Sequence, residues 1–223
     1  MRRVIFATVL LVFCAAGCTT GRQIAMTPAC DGVGPEEVSK GAPMRSVLQL
    51  SPFADGTYWY LRDGMQWSTT DPKTQKTFAV TTPKGFVTDL ASIPRPLWII
   101  LPKWDGYGVG AVIHDYLYWS QHVSRRDADR WFYGAMTDQH VSWLHKRLIY
   151  GAVRLFGGMA WNGNARRRMG QHIQCLTASQ FPDDPTKTWD QVRDAIEHSP
   201  AFVLPPVPKA PPVQSTIYPG GAP

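Results

Sequence analysis

The first half of the chain carries short runs of β-branched and aromatic residues separated by turn residues, a pattern typical of β-strands. Asp-Gly pairs at residues 55–56 and 63–64 separate the first runs, and Thr82-Pro83-Lys84 separates the last two. Asp-Gly between such runs favours a hairpin. The pattern therefore predicts antiparallel strands at residues 46–50, 57–61, 65–69, 77–81 and 85–88.

Beyond residue 106 the apolar positions recur every three to four residues, which is the repeat of an amphipathic helix. Helices are predicted at residues 107–120, 124–138 and 142–156, with weaker candidates at 165–176 and 189–198. Ser124 is a suitable N-cap for the second helix, and Gly157-Gly158 is expected to end the third. The apolar stripe expected to face the core on the third helix consists of Leu144, Leu148, Ala152 and Leu155.

These elements define an α+β fold, with a small antiparallel sheet followed by a cluster of about three helices. The chain has 223 residues, enough for one good core, and this single domain is expected at residues 44–199. Residues 18–43 are polar with scattered Gly and Pro, which is typical of a flexible tether. Residues 200–223 are proline-rich and are expected to form a disordered tail.

The N-terminus has the pattern of a secretory signal. Arg2 and Arg3 precede an apolar run at residues 4–13, which is shorter than the roughly 20 residues of a membrane span. The following Ala-Ala-Gly-Cys resembles a bacterial lipoprotein cleavage box, although Leu is usual at its first position. That resemblance implies a signal peptide at residues 1–17, lipid on Cys18 and a cell-envelope location. Thr19 favours an outer-membrane lipoprotein facing the periplasm or the cell surface. The alternative is a plain signal peptide or an uncleaved anchor.

The charge of the chain narrows the class of partner. Its formal net charge is +6 at pH 7, and Arg166-Arg167-Arg168 form one cluster of that charge. A mild positive excess favours an anionic membrane or cell-wall surface. Aromatic residues do not interleave with the basic ones as they would on a nucleic-acid platform, so nucleic acid is not an expected partner.

Two of the four cysteines are left for pairing once Cys14 is removed with the signal and Cys18 is acylated. In an oxidising compartment the remaining two, Cys30 and Cys175, either form a disulfide or stay as separate thiols. We expect the disulfide. No cluster of Cys and His indicates a zinc site.

Two polar pairs, Thr88-Asp89 and His114-Asp115, interrupt the otherwise apolar residues 85–118. Ionisable groups in apolar surroundings usually have a partner or a chemical task. In the predicted helix Tyr118 stacks one turn from His114, while Asp115 points about 100° away from it. Asp129 lies on an apolar face of the next helix. We therefore expect these polar residues to form one site, supported by Tyr118.

Part of the chain resembles a known family. The segment TTPKGFVTDLASIPR at residues 81–95 and the segment AVIHDYLY at residues 111–118 resemble the phage and bacterial "domain of unknown function 1353" family. The helix at residues 124–136 and the stretch at 147–156 fit the same family, and the resemblance covers about residues 46–158. It implies a fold and a phage relationship, and it brings no established activity.

The pattern His114-Asp115-x-x-Tyr118 is similar to the active-site helix of secreted calcium-dependent phospholipases A₂. This similarity implies that His114 is a base, that Asp115 and Asp89 bind calcium, and that Asp129 holds the imidazole with help from Tyr118. The chain departs from those enzymes in lacking the usual glycine-rich calcium loop and the disulfides that clamp their two helices.

Two classes of function remain open. The first is an envelope hydrolase that acts on a lipid or cell-wall bond with the help of a metal ion. The second is a non-catalytic lipoprotein, of envelope or prophage origin, that binds or blocks a surface component. In the second case the His-Asp pair is purely structural and bonds Thr88, Ser92 or Arg95 to lock the helix onto the sheet.

Overall fold

The computed structural model describes residues 30, 32–39, 47–71, 73–90 and 106–202. The predicted signal peptide and Cys18 lie outside these residues, as do Ser92 and Arg95. The strands are β1 Val33–Val38, β2 Leu50–Pro52, β3 Trp59–Leu61, β4 Met65–Thr70, β5 Thr77–Thr82 and β6 Val87–Thr88. The helices are α1 Gly108–Ser120, α2 Arg125–Asp138, α3 Trp143–Met169 and α4 Trp189–Glu197. The α+β architecture is the predicted one.

The described strands form two antiparallel sheets of three strands each, in the orders β1-β5-β4 and β2-β3-β6. The turn at Asp55-Gly56 joins a true hairpin, since β2 and β3 pair antiparallel. The Asp55 carboxylate stabilises this turn by accepting the backbone N–H groups of Thr57 and Tyr58. The hairpin expected at Asp63-Gly64 is wrong, since β3 and β4 belong to different sheets. The strands on either side of Thr82-Pro83-Lys84, β5 and β6, also belong to different sheets.

The predicted tether needs a correction, because part of it belongs to the folded domain. Residues 33–38 form β1, which pairs with the edge of β5. Its polar composition is compatible with an edge strand, whose stability comes from backbone hydrogen bonds and whose side chains stay largely in solvent. The domain therefore begins before residue 44. Its last described residue, Phe202, packs against a small apolar cluster near α4.

The main core lies between the sheets and the first three helices. Trp67 of β4 and Phe78 of β5 meet the fully buried ring of Trp131 in α2 edge-on, and side chains of β3 and α1 belong to the same core. Ser124 caps α2 as predicted, with its hydroxyl accepting the Asp127 N–H at 3.2 Å. A second, smaller cluster sits below α4 around Trp189. Of the described helices, none combines the length and the hydropathy needed to cross a bilayer.

The third helix differs most from its prediction. It runs through Gly157-Gly158 to Met169, nearly twice its predicted length, and includes the first residues of the fourth predicted helix. Its buried residues are Ile149, Ala152, Val153 and Asn164. Three residues of the predicted inner stripe, Leu144, Leu148 and Leu155, are exposed instead. The inner face is narrow, and at Gly157 α3 lies so close to Tyr118 of α1 that a Cβ would overlap its hydroxyl.

The chain after α3 returns to the sheet and carries the second cysteine. Residues 174–176 run beside β6 and its preceding turn, with hydrogen bonds from Val87 N–H to the Gln174 carbonyl and from Leu176 N–H to the Gly85 carbonyl. Gly85 has φ +80°, and a Cβ there would overlap the Leu176 carbonyl, so only glycine fits. Cys175 forms a disulfide with Cys30, with the two Cα atoms 5.6 Å apart.

The packing around Gly157 can be tested, because α3 continues through this residue instead of ending there. A Cβ at Gly157 would overlap the Tyr118 hydroxyl, whereas one at Gly158 would meet nothing within 4 Å. We predict that Gly157→Ala lowers the free energy of unfolding by about 1–3 kcal/mol through overpacking. Gly158→Ala is the matched control and should raise it by up to about 1 kcal/mol, because alanine favours the helix. Denaturant unfolding measures both, and equal effects of the two substitutions would contradict the packing.

Candidate active site

A cleft of about 100 Å³ opens between the end of β6, helix α1 and the middle of α3. Asp89 follows β6 directly and lines one side, while His114, Asp115 and Tyr118 of α1 line the floor. Phe156 and its neighbours on α3 form the opposite wall. The topology thus brings two of the predicted polar pairs, 26 residues apart in sequence, to one opening.

Within the described part of the chain, the imidazole of His114 is hydrogen-bonded through one of its two nitrogens. Its imidazole is 4% exposed, and Nε2 lies 3.0 Å from Oδ1 of Asp129. An ionised carboxylate only accepts hydrogen bonds, so Nε2 carries the hydrogen of this bond and Nδ1 carries the lone pair of the neutral ring. Nδ1 is buried and has no hydrogen-bond partner among the described residues. Such a nitrogen at a cleft is placed to accept a proton.

Asp129 stands behind the imidazole and is fully buried. Its Oδ1 also accepts the Tyr118 hydroxyl at 2.6 Å, and its Oδ2 accepts Arg154 Nη1 at 2.7 Å. Arg125 Nη1 lies 3.8 Å from the same Oδ2. Burial by itself would raise the pKa of the Asp129 carboxyl, but hydrogen bonds from His114, Tyr118 and Arg154 hold that pKa below its usual value. The carboxylate is therefore ionised at neutral pH.

Tyr118 remains a hydrogen donor under all ordinary conditions. Burial raises the pKa of its phenol, and the adjacent Asp129 charge raises it further. Its ring packs against His114, with ring centroids 4.0 Å apart, and meets Trp161 edge-on. Tyr118 thus holds Asp129 by its hydroxyl and the imidazole by its ring.

Asp115 is tied to the sheet. Its Oδ2 accepts the Thr88 hydroxyl, and the same hydroxyl oxygen accepts the Leu90 N–H at 3.0 Å. Its Oδ1 lies 4.0 Å from His114 Nδ1. The side chain of Asp115 is 16% exposed, which is more than its neighbours on α1. One oxygen of Asp115 therefore anchors the helix and the other faces the unpartnered nitrogen of His114.

The residues present fit only part of a metal site. Among the described residues, no group of three or more His, Cys, Asp or Glu is arranged to hold an ion. Asp89 and Asp115 both line the cleft, and carboxylate oxygens are the ligands that Ca²⁺ prefers. Two carboxylates are fewer than the six to eight oxygens of a full calcium shell, so water or backbone oxygens would have to complete it.

Several residues of the cleft were missed by the sequence reasoning. Asn164 and Arg167 line it from the C-terminal half of α3, and their side chains are hydrogen-bonded to each other. Gln174 lines it from the returning segment and donates to the Val87 carbonyl at 2.9 Å. Arg154 was missed as a partner of Asp129. The absence of proline between residues 142 and 181 was a signal for the longer helix, and the longer helix would have pointed to Asn164 and Arg167.

All five residues predicted to share the site do lie together. Asp89, His114, Asp115 and Tyr118 line the cleft, and Asp129 sits one layer behind it in contact with His114 and Tyr118. The other predicted anchors of His114 and Asp115, Ser92 and Arg95, lie outside the described residues, whereas Thr88 makes the expected contact.

Neither a protein of curated function nor a solved structure matches this chain. Residues 66–153 match the model of a family described as "Protein of unknown function (DUF1353)". The matched segment contains all of β4 except Met65, together with β5, β6, α1 and α2, and it ends at Val153 within α3. It therefore includes Asp89, His114, Asp115, Tyr118 and Asp129. The resemblance to the DUF1353 family is thus confirmed over residues 66–153, the segment that carries the floor of the cleft.

Proposed function

We propose that this protein is a hydrolase of acyl esters or amides in the cell envelope, with His114 as the general base. One observation carries the proposal: the imidazole is held at Nε2 by a buried carboxylate, while Nδ1 has no hydrogen-bond partner among the described residues and His114 lines a cleft. A buried histidine with a purely structural role would be expected to use both nitrogens, because an unsatisfied buried polar atom costs about 1–3 kcal/mol.

The proposed reaction follows from the tautomer of His114, in which Nε2 carries the hydrogen and Nδ1 carries the lone pair. Nδ1 of His114 takes a proton from a water molecule, and the water oxygen attacks the carbonyl carbon of the substrate. The imidazolium that forms is stabilised by Asp129, whose charge lies 3.0 Å from Nε2. When the tetrahedral intermediate collapses, the bond to the leaving group breaks and Nδ1 returns the proton to that group. Asp129 and Tyr118 are positioning residues in this scheme, since Asp129 acts through the imidazole and the Tyr118 hydroxyl is donated to Asp129.

The wall of the cleft favours an anionic substrate. Arg167 is the cationic side chain among the described lining residues, and the described contacts of its guanidinium leave donors for a further acceptor. Phe156, Val153 and Ala152 supply an apolar patch on the same wall. A substrate with an acyl chain next to a phosphate or carboxylate would use both features, as a lipid does.

A divalent cation is the second part of the proposal. Asp115 and Asp89 would hold calcium, with other oxygens completing the shell. When bound, the ion would polarise the substrate carbonyl and stabilise the negative charge that develops on its oxygen. The resemblance of His114-Asp115-x-x-Tyr118 to secreted phospholipases A₂ supports this assignment.

An envelope location is the third part. The lipoprotein-like Ala-Ala-Gly-Cys18 and the disulfide between Cys30 and Cys175 support it together, because disulfides form and persist in oxidising compartments. The lipid on Cys18 would hold the domain at an outer membrane, next to lipid and cell-wall substrates.

One contact favours the competing non-catalytic role. Thr88 binds Asp115 and so locks α1 to β6, as a purely structural His-Asp pair would require. In that case the domain would bind or block an envelope component without turning it over. The tests that follow separate the two functions.

The first prediction concerns His114. With p-nitrophenyl acyl esters as probes, His114→Ala should lower kcat/KM by about 10²–10⁴-fold, the usual contribution of a general base. His198→Ala is the matched control, because His198 is exposed at the end of α4, and it should keep the parent activity. Circular dichroism checks that both variants are folded. Equal turnover by His114→Ala and the parent would contradict the base assignment.

The second prediction concerns calcium, with thermal melting as the readout. At a hundredfold excess over its Kd, calcium should stabilise the parent by about 2.7 kcal/mol. Asp115→Asn should lose most of this stabilisation, because it removes a charge and keeps the shape. Asp183→Asn, an exposed carboxylate that does not line the cleft, should keep it. If calcium does not change the melting temperature of the parent, the proposed calcium site is refuted. The role of His114 would then be decided by the kinetic measurements alone.

The third prediction concerns the anchor. Mass spectrometry of the membrane fraction should find Cys18 as a lipid-modified N-terminus, and Cys18→Ser should release the chain from that fraction. Cys14→Ser is the control and should leave processing unchanged, since Cys14 belongs to the predicted signal. An unmodified Cys18, or a mature N-terminus at another residue, would refute lipidation.

A further inference from the structure

Helix α3 has an exposed apolar face that does not pack into the core of the described residues. Leu144, Leu148, Leu155 and Met159 follow one another at spacings of four, seven and four residues, so they lie on one side of the helix. Leu155 is 78% exposed and Met159 is 77% exposed. The full set of exposed large apolar residues on α3 is Trp143, Leu144, Leu148, Leu155, Phe156, Met159 and Met169. A contiguous stripe of this kind marks an interaction surface.

The charge of the same helix limits what can cover the stripe. The 27 residues of α3 contain six Lys or Arg residues and no Asp or Glu. Arg147 and Arg166 are exposed near the two ends of the stripe. Arg147 lies over the ring of Trp143, with its guanidinium carbon 5.9 Å from the ring centroid. The stripe is thus apolar along its length and positive at both ends.

A second copy of the chain is a poor occupant. The helix is basic near both ends, at Lys146-Arg147 and at Arg166-Arg167-Arg168. Two α3 helices packed by this face would therefore oppose like charges in the parallel and in the antiparallel orientation. An anionic occupant instead gains from both ends.

The shape of the face selects a bilayer over an acidic protein groove. A helix of this length is about 40 Å long, and its stripe is a convex ridge. Leu, Met, Trp and Phe beside Arg are the side chains that enter the boundary between lipid headgroups and acyl chains, with the cations at the headgroup phosphates. Phe156 belongs to this set of exposed residues and also lines the cleft.

We propose that the exposed face of α3 docks flat on an anionic lipid bilayer and brings the mouth of the cleft to the membrane surface. This docking is independent of the lipid on Cys18 and of the catalytic role of His114. The anchor would limit how far the domain can move from the membrane, whereas α3 would set which side of the domain faces the lipid.

Vesicle flotation with the full chain tests this. Every variant carries Cys18→Ser, so that none is acylated and all share the same N-terminal segment. The double variant Leu155→Gln, Met159→Gln should bind vesicles of phosphatidylglycerol and phosphatidylcholine at least about tenfold more weakly than the parent. Val47→Gln is the matched control, because Val47 is 79% exposed and lies outside α3, and it should bind like the parent.

A charge variant separates the two contributions. Arg147→Gln, Arg166→Gln should weaken binding to the anionic vesicles by about tenfold and leave binding to pure phosphatidylcholine unchanged, because only the headgroup charge differs. Raising the salt concentration should reduce the parent's preference for anionic vesicles.

Three results would overturn the docking. The first is equal vesicle binding by the parent and the Leu155→Gln, Met159→Gln variant. The second is a concentration-dependent dimer in sedimentation that this variant abolishes, which would assign the stripe to a second copy. The third is a lower melting temperature of the variant with unchanged vesicle binding, which would show that another part of this chain covers the stripe.

Discussion

The structure depends on one fully buried carboxylate. Asp129 lies among three helices and would be costly to bury alone, since an unpaired charge in the interior loses several kcal/mol of solvation. Helix α1 supplies His114 and Tyr118, and α3 supplies Arg154. Both neighbouring helices therefore contribute hydrogen-bond donors that stabilise the ionised carboxylate of Asp129. The packing of α1, α2 and α3 and the orientation of the imidazole are therefore set by one group.

The close approach of the helices follows from the same requirement. Arg154 reaches Asp129 because α3 passes directly over the Tyr118 hydroxyl, and Gly157 is the residue whose missing side chain leaves room for that hydroxyl. The long α3 then carries Asn164 and Arg167 over the cleft and places its larger apolar side chains on the outside. The cleft wall and the exposed stripe are thus two faces of one helix, and Phe156 belongs to both.

The orientation of His114 also explains why the cleft is suited to proton transfer. A single acceptor on Nε2 fixes the tautomer and leaves Nδ1 without a hydrogen-bond partner among the described residues, 4.0 Å from one oxygen of Asp115. The sheet contributes by holding the other oxygen of Asp115 through Thr88. His114 and Asp115 therefore each have one polar atom that is used for structure and a second one that lies beside the other residue.

The sequence by itself determined the fold class, most helices and the polar residues of the site. Local patterns suffice for these: a 3.6-residue repeat, a Ser124 cap, and charged residues on apolar faces that had to find partners. It also indicated both members of the disulfide between Cys30 and Cys175, because few other cysteines remained.

Only the tertiary structure decided which strands pair and where α3 ends. An Asp-Gly turn reports a reversal of the chain and does not reveal whether the next strand joins the same sheet, so β3 and β4 were paired wrongly. A Gly-Gly pair is a helix stop in isolation, but at Gly157 the missing side chain serves a contact with Tyr118, 39 residues away in sequence. The inner face of α3 was predicted wrongly because apolar periodicity shows only that an apolar stripe exists. Whether that stripe faces the core depends on how distant parts of the chain pack against the helix.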